Sequence, residues 1–127
     1  MERTTAQLER LDRMSTAMLS RGQIVCVAAS GVYSGKPRPA VVVQADLWLD
    51  AHPSVTLCPI TSTLLQAPLI RIPVEPSRGN GLRKSSQLMA DKLFSVQRTS
   101  IGQVIGQLER VHVAELDQAL RSWLGLG

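Results

Sequence analysis

Aromatic residues are scarce in this chain: two Trp, one Tyr and one Phe, 3% of 127 residues. That scarcity argues against a nucleic-acid surface built from several stacked rings. Cysteine is almost as rare. Cys26 and Cys58 lie in the apolar runs IVCVAA and VTLCPI, and they form neither a C-x-x-C motif nor a zinc spacing. Both read as buried free thiols of a cytosolic protein rather than as a disulfide pair. His52 and His112 are sixty residues apart with no Cys or carboxylate pattern around them. We assign no metal and no cofactor. No apolar run approaches the roughly 20 residues of a membrane span. The opening MERTTAQLERLDRM lacks the apolar centre of a signal peptide. The expected compartment is the cytoplasm, with no membrane partner. There is no nucleophile elbow. GVYSGKP (Gly31–Pro37) superficially suggests a phosphate loop. It is one residue short between its glycines, and Pro37 stands where Ser or Thr would hold magnesium.

What the chain does have is hydrophobic content of 44%, enough for one domain with a single core. Its net charge is +4, carried by eleven Arg and three Lys. Between Arg71 and Arg98 six basic residues face only two acidic ones, Glu75 and Asp91. Guanidinium binds phosphate through paired donors, so the bias suits an anionic partner. One arginine stands out. In KPRPAVVVQ, Arg38 is bracketed by Pro37 and Pro39 at the mouth of an apolar run. Proline restricts its own φ and the conformation of the residue before it. A cation held that stiffly is suited to one particular anion.

The periodicity predicts three parts. Residues 4 to 19 read as a helix, opened by a capping box at Thr4–Gln7, with Leu8, Leu11, Met14 and Met18 on one face. Residues 21 to 108 read as short strands: 23–29, 40–45, 54–60, 69–74 (half exposed), 86–91 and 102–108. Asn80-Gly81 suits a turn with positive φ. Residues 112 to 124 read as a helix whose apolar stripe includes Leu116, Leu120 and Trp123, with Gly125 closing it. The fold class is mainly β (α+β): a small, barrel-like twisted antiparallel sheet with a C-terminal helix and an extra N-terminal helix.

Five segments then fall in order: RGQIV (Arg21–Val25), GKPRPAVVV (Gly35–Val43), PITS (Pro59–Ser62), KSSQLMAD (Lys84–Asp91) and IGQL (Ile105–Leu108). Together they closely resemble the MazF/PemK family of toxin endoribonucleases, over about residues 21 to 124. The resemblance implies a toxin domain at 21–127 preceded by an N-terminal helical extension at 1–20. It implies the fold of the MazF and CcdB plasmid-maintenance toxins and a homodimer. The implied activity is metal-independent, sequence-specific cleavage of single-stranded RNA, leaving 2′,3′-cyclic phosphate and 5′-hydroxyl ends. The implied inhibitor is a cognate antitoxin whose acidic C-terminal tail lies in the RNA groove.

Carried over residue by residue, the resemblance makes Arg38 and Thr61 catalytic. Lys36, Ser62, Ser86 and Asp91 are RNA-binding or assisting positions, Asp91 where some members carry an acid that aids proton transfer. Two departures bear on this. Met89 occupies the position where some members place an arginine, two residues before that acid, and the first loop has no histidine. An alternative within the same fold is a CcdB-like toxin that binds gyrase and catalyses nothing. The terminal SWLGLG is a loose echo of its Trp-containing tail.

Overall fold

The computed structural model of the chain describes residues 19–28 and 37–127. Apart from Leu19, the helix expected over 4–19 lies outside the described residues, as does the loop 30–36 with Lys36. The chain runs β1 (Gln23–Val27), β2 (Arg38–Val42), a one-turn helix α1 (Asp46–Leu49), β3 (Ser54–Thr61), β4 (Arg71–Val74), β5 (Ser86–Met89), β6 (Phe94–Gln97), β7 (Ile101–Gln107) and α2 (Arg110–Leu124). The strands form one seven-stranded sheet in the order β4-β5-β3-β2-β1-β7, with β6 also on β3. Every pairing is antiparallel.

β3 is the central strand. It pairs with β2 through Leu57, Cys58 and Pro59. Its other partners divide it: Ser54–Leu57 pair with β6, and Ile60 and Thr61 pair with β5. Pro59 has no N–H to give to a ladder, and it falls between those two partners.

The sheet is covered on both faces. On one, Ile24, Val41, Cys58 and Ile60 meet Leu88, Ile72 and the α2 residues Leu116 and Leu120. On the other, Val25, Val27, Ala40, Val42, Val55 and Leu57 meet Leu19 and Leu49. Burial on both sides is why β1–β3 read as nearly unbroken apolar runs rather than alternating ones. Arg21 ties the entry of β1 to both helices. Its N–H donates to Asp46 Oδ1 (2.7 Å), its Nε to the Val43 carbonyl (2.8 Å) and its Nη2 to Asp117 Oδ1 (2.7 Å).

The mainly β class, the C-terminal helix and six of the strands match expectation, with ends shifted by a few residues. β6 was not expected. Only Phe94 and Val96 are apolar in it, and pairing with β3 rather than its own sequence makes it a strand. β4 was expected to be half exposed, but Arg71, Ile72 and Val74 are buried, because α2 packs over it. Trp123 belongs to the apolar stripe expected for this helix but is 52% exposed. α2 buries only Leu116, Ala119 and Leu120, one turn short of it. Gly125, at φ 71°, ends the helix and donates back to the Arg121 and Ser122 carbonyls.

Leu57 is fully buried at the junction of β2, β3 and β6. Leu57→Ala is expected to lower unfolding stability by about 2–5 kcal/mol, the usual cost of a cavity there. Chemical denaturation checks this, and a loss below 1 kcal/mol would mean that the junction is not tightly packed.

Candidate functional site

Arg38 is the first residue of β2, paired with Val27 of β1. The β2–β3 register runs Val42↔Leu57, Val41↔Cys58, Ala40↔Pro59. Continued by two residues, it sets Arg38 opposite Thr61, the last residue of β3. Both line an open groove of about 1220 Å³ at that end of the sheet.

Thr61 is held in a defined state. Its Oγ1 accepts the Thr63 N–H (3.0 Å), which leaves the hydroxyl proton free to donate elsewhere. The loop beyond is pinned by Gln87 of β5. Gln87 Oε1 accepts the Leu65 N–H (3.0 Å), and Gln87 Nε2 donates to the Leu65 carbonyl (2.9 Å). Gln87 sits beside Thr61 in the β3–β5 register. Nothing in the sequence marked it beyond its place in KSSQLMAD.

Arg38, Arg83, Lys84 and Lys92 all line the groove, and all four are exposed. Among the described residues, no Asp or Glu lines it. No ion pair to these cations occurs among the described residues. Lys92 was not picked out from sequence; the basic bias from Arg71 to Arg98 was its only signal. Arg78, in the same basic stretch, does not line the groove.

The remaining expected site residues divide. Ser62 is exposed in the groove next to Thr61. Ser86 lines the wall, but it is buried and its hydroxyl donates to the Lys84 carbonyl (2.8 Å), so it shapes the loop that carries Lys84. Asp91 is not brought to the groove. Its neighbour Lys92 and the nearby Met89 line it, whereas the Asp91 carboxylate pairs with the Arg71 guanidinium. The two contacts are Nε–Oδ1 at 3.0 Å and Nη2–Oδ2 at 3.3 Å, with both side chains about nine-tenths buried. Arg71 faces Met89 across β4 and β5, so the arginine that meets this acid arrives from the neighbouring strand. Lys36 lies outside the described residues.

Fold and groove together define a small, mainly antiparallel β protein with four exposed cations and the Thr61 hydroxyl at one end of its sheet. Residues 20–124 match the model of the family described as the PemK-like, MazF-like toxin of type II toxin–antitoxin systems. The chain is 42% identical over 108 residues to a probable endoribonuclease MazF of Mycolicibacterium smegmatis, covering 85% of this chain and 98% of that protein. This protein therefore belongs to the MazF/PemK toxin family. Solved structures share the fold at lower identity. A mycobacterial endoribonuclease in complex with its cognate antitoxin superimposes with a TM-score of 0.72 at 20% identity, over 86% of this chain and 97% of that one. A MazE–MazF structure from Deinococcus radiodurans gives 0.72 at 21% identity, over 86% and 98%.

The two thiols differ in setting. Cys58 is fully buried in β3. Burial pushes its thiol up to about 12; the Asp91 carboxylate adds to the rise, while the Met89 backbone and Arg71 oppose it. Cys26 was also expected to be buried, but it is only partly so, because it lines the groove beside the start of β2. At pH 8 the Cys58 thiolate fraction is on the order of one in ten thousand, and the thiolate is the reactive form. Iodoacetamide at pH 8 should therefore modify Cys26 and spare Cys58 until the protein is denatured. Peptide mass spectrometry reads the site, and alkylation of Cys58 in the native protein would contradict this packing.

Proposed function

We propose that this protein is the toxin of a type II toxin–antitoxin pair and cleaves single-stranded RNA in the Arg38–Thr61 groove. The observation that carries the reading is that Arg38 and Thr61 line one groove, together with Arg83, Lys84 and Lys92 and, among the described residues, with no carboxylate. RNA is the ligand whose regular negative charge fits such a surface.

The chemistry follows from the charge. When a ribose 2′-hydroxyl attacks the adjacent phosphorus, negative charge collects on the non-bridging oxygens. Arg38, stiffened by Pro37 and Pro39, supplies a preorganised guanidinium to that charge. The free Thr61 proton is a second donor. The products are a 2′,3′-cyclic phosphate and a 5′-hydroxyl. Arginine is a poor general base, and Asp91 is engaged by Arg71. Charge stabilisation therefore carries the step more than proton transfer by these groups. Among the described residues the groove's lining offers cations rather than the carboxylates of a metal site, and the proposed cleavage uses no divalent ion.

Residues 21–127 form the toxin domain and 1–20 an extension to it. The domain acts in the cytoplasm as a homodimer. A cognate antitoxin inhibits it by laying an acidic tail along the same cations, where the tail competes with RNA. One observation favours a second reading, a gyrase-binding toxin: Trp123, Leu124 and Leu126 stand exposed at the chain's end. An RNA cleavage assay separates the two readings.

Purified protein incubated with labelled single-stranded RNA in EDTA should produce fragments with 5′-hydroxyl ends. A requirement for divalent metal, or 5′-phosphate ends, would overturn the mechanism. Arg38→Ala should lower the rate by about 10²–10³, the usual cost of removing a donor aimed at the transition state. Thr61→Val should be severe and Thr61→Ser mild, because serine keeps the hydroxyl. Wild-type turnover by folded Arg38→Ala protein would remove Arg38 from the reaction.

A further inference from the structure

The loop between β4 and β5 carries Arg83 and Lys84 into the groove, and its conformation is fixed from an unexpected place. Asn80 is fully buried at the loop's centre. Its Oδ1 accepts the N–H groups of Ser77 (3.0 Å) and Leu82 (2.9 Å). Its Nδ2 donates to the Glu75 carbonyl (2.9 Å) and to Glu109 Oε1 (3.2 Å). Ser77 Oγ accepts the Asn80 N–H (3.0 Å) and donates to the same Glu109 oxygen (2.5 Å).

Glu109 is the N-cap of α2, yet its side chain makes no cap hydrogen bond to its own helix. It reaches across to the loop instead. Burial pushes its carboxyl up, but the Ser77 and Asn80 donors and nearby His112 outweigh that and hold it below its ordinary value. It is therefore an anionic acceptor at neutral pH. The backbone closes the same contact. The Gln107 N–H donates to the Gly79 carbonyl (2.9 Å). A Cβ on Gly106 would collide with the Asn80 backbone, and one on Gly81, which sits at φ 71°, would collide with the Ile105 carbonyl. β7 and the loop touch where neither has room for a side chain.

We propose that Asn80 and Glu109 are positioning residues for RNA binding: the node they form fixes the loop so that Arg83 and Lys84 hold the phosphates flanking the scissile one. The proposal rests on the ribonuclease reading for its substrate. Both ends of the basic segment are fastened. The Glu109 node holds the side before Arg83. Beyond Lys84, Ser85 Oγ donates to Glu75 Oε2 (2.5 Å) and Ser86 Oγ to the Lys84 carbonyl. Glu109 lies outside the groove's lining, so its effect on RNA must pass through Asn80 and the loop.

The test compares wild type, Glu109→Ala, Glu109→Gln and Ser77→Ala, each checked for folding by circular dichroism. Glu109→Ala should raise KM for an oligoribonucleotide about tenfold with kcat within about twofold. Freeing two phosphate contacts should also flatten the salt dependence of binding by about 1.4 log units per log unit of salt. Glu109→Gln keeps an acceptor oxygen and should recover most of the wild-type KM. Ser77→Ala, a milder lesion at an exposed residue, should shift KM in the same direction, and it decides the matter if Glu109→Ala fails to fold. Folded variants with wild-type KM and salt slope would overturn the proposal, as would an equal fall in kcat with KM unchanged. Salt-dependent titration with the 2′-deoxy form of the same oligonucleotide, which cannot be cleaved by 2′-hydroxyl attack, reads the loop's role independently. A wild type that binds but never cuts would sink the ribonuclease reading and leave this comparison intact.

Discussion

Pairing along both edges of β3 is the constraint on which the rest of the molecule depends. On one edge β2 runs in a register that, continued two residues past the Ala40–Pro59 pair, sets Arg38 opposite Thr61. On the other, β3 passes from β6 to β5 around Pro59. That division lets one strand supply both core and site. Its buried residues, Val55, Leu57, Cys58 and Ile60, fasten the sheet to packing on both faces. Its last residue, free of the core, presents a hydroxyl. A slip of one residue in this register would turn Thr61 to the opposite face and break the pair.

The groove is electrostatically unbalanced, and the imbalance is local. Among the described residues, four acidic side chains are directed elsewhere. Asp91 turns to Arg71, Glu109 to Asn80 and Ser77, Glu75 to Ser85, and Asp117 to Arg21. Each carboxylate fastens one element to another and is thereby kept from the groove cations. Clustered like charges with no ion pair among the described residues repel one another, and the packed sheet beneath holds them together.

Much of this was legible in the chain. The apolar runs of β1–β3 identified buried strands, since their β-branched content and length suit a sheet covered on two faces. Gly125 marked the end of α2. Pro37 and Pro39 singled out Arg38, and the ordered segments pointed to Thr61 and to the family. Other parts were not legible. β6 is a strand because β3 offers it an edge. Trp123 continues an apolar stripe, but the sheet ends before it arrives. Asp91 looked available because the sequence does not show that Arg71 faces Met89 across two strands.

The sequence by itself determined six of the strands, the C-terminal helix and where turns could form. Backbone restriction, β-branching and apolar periodicity act within a few residues and need no partner. The tertiary structure alone decided which charges remain free. Arg38 and Thr61 come to one groove through the pairing of β2 with β3, and Asp91 is withdrawn by an arginine 20 positions away. Glu109 reaches Asn80 across 29 positions. Those contacts follow from packing two faces of one sheet at once, a condition satisfied only when distant segments fold together.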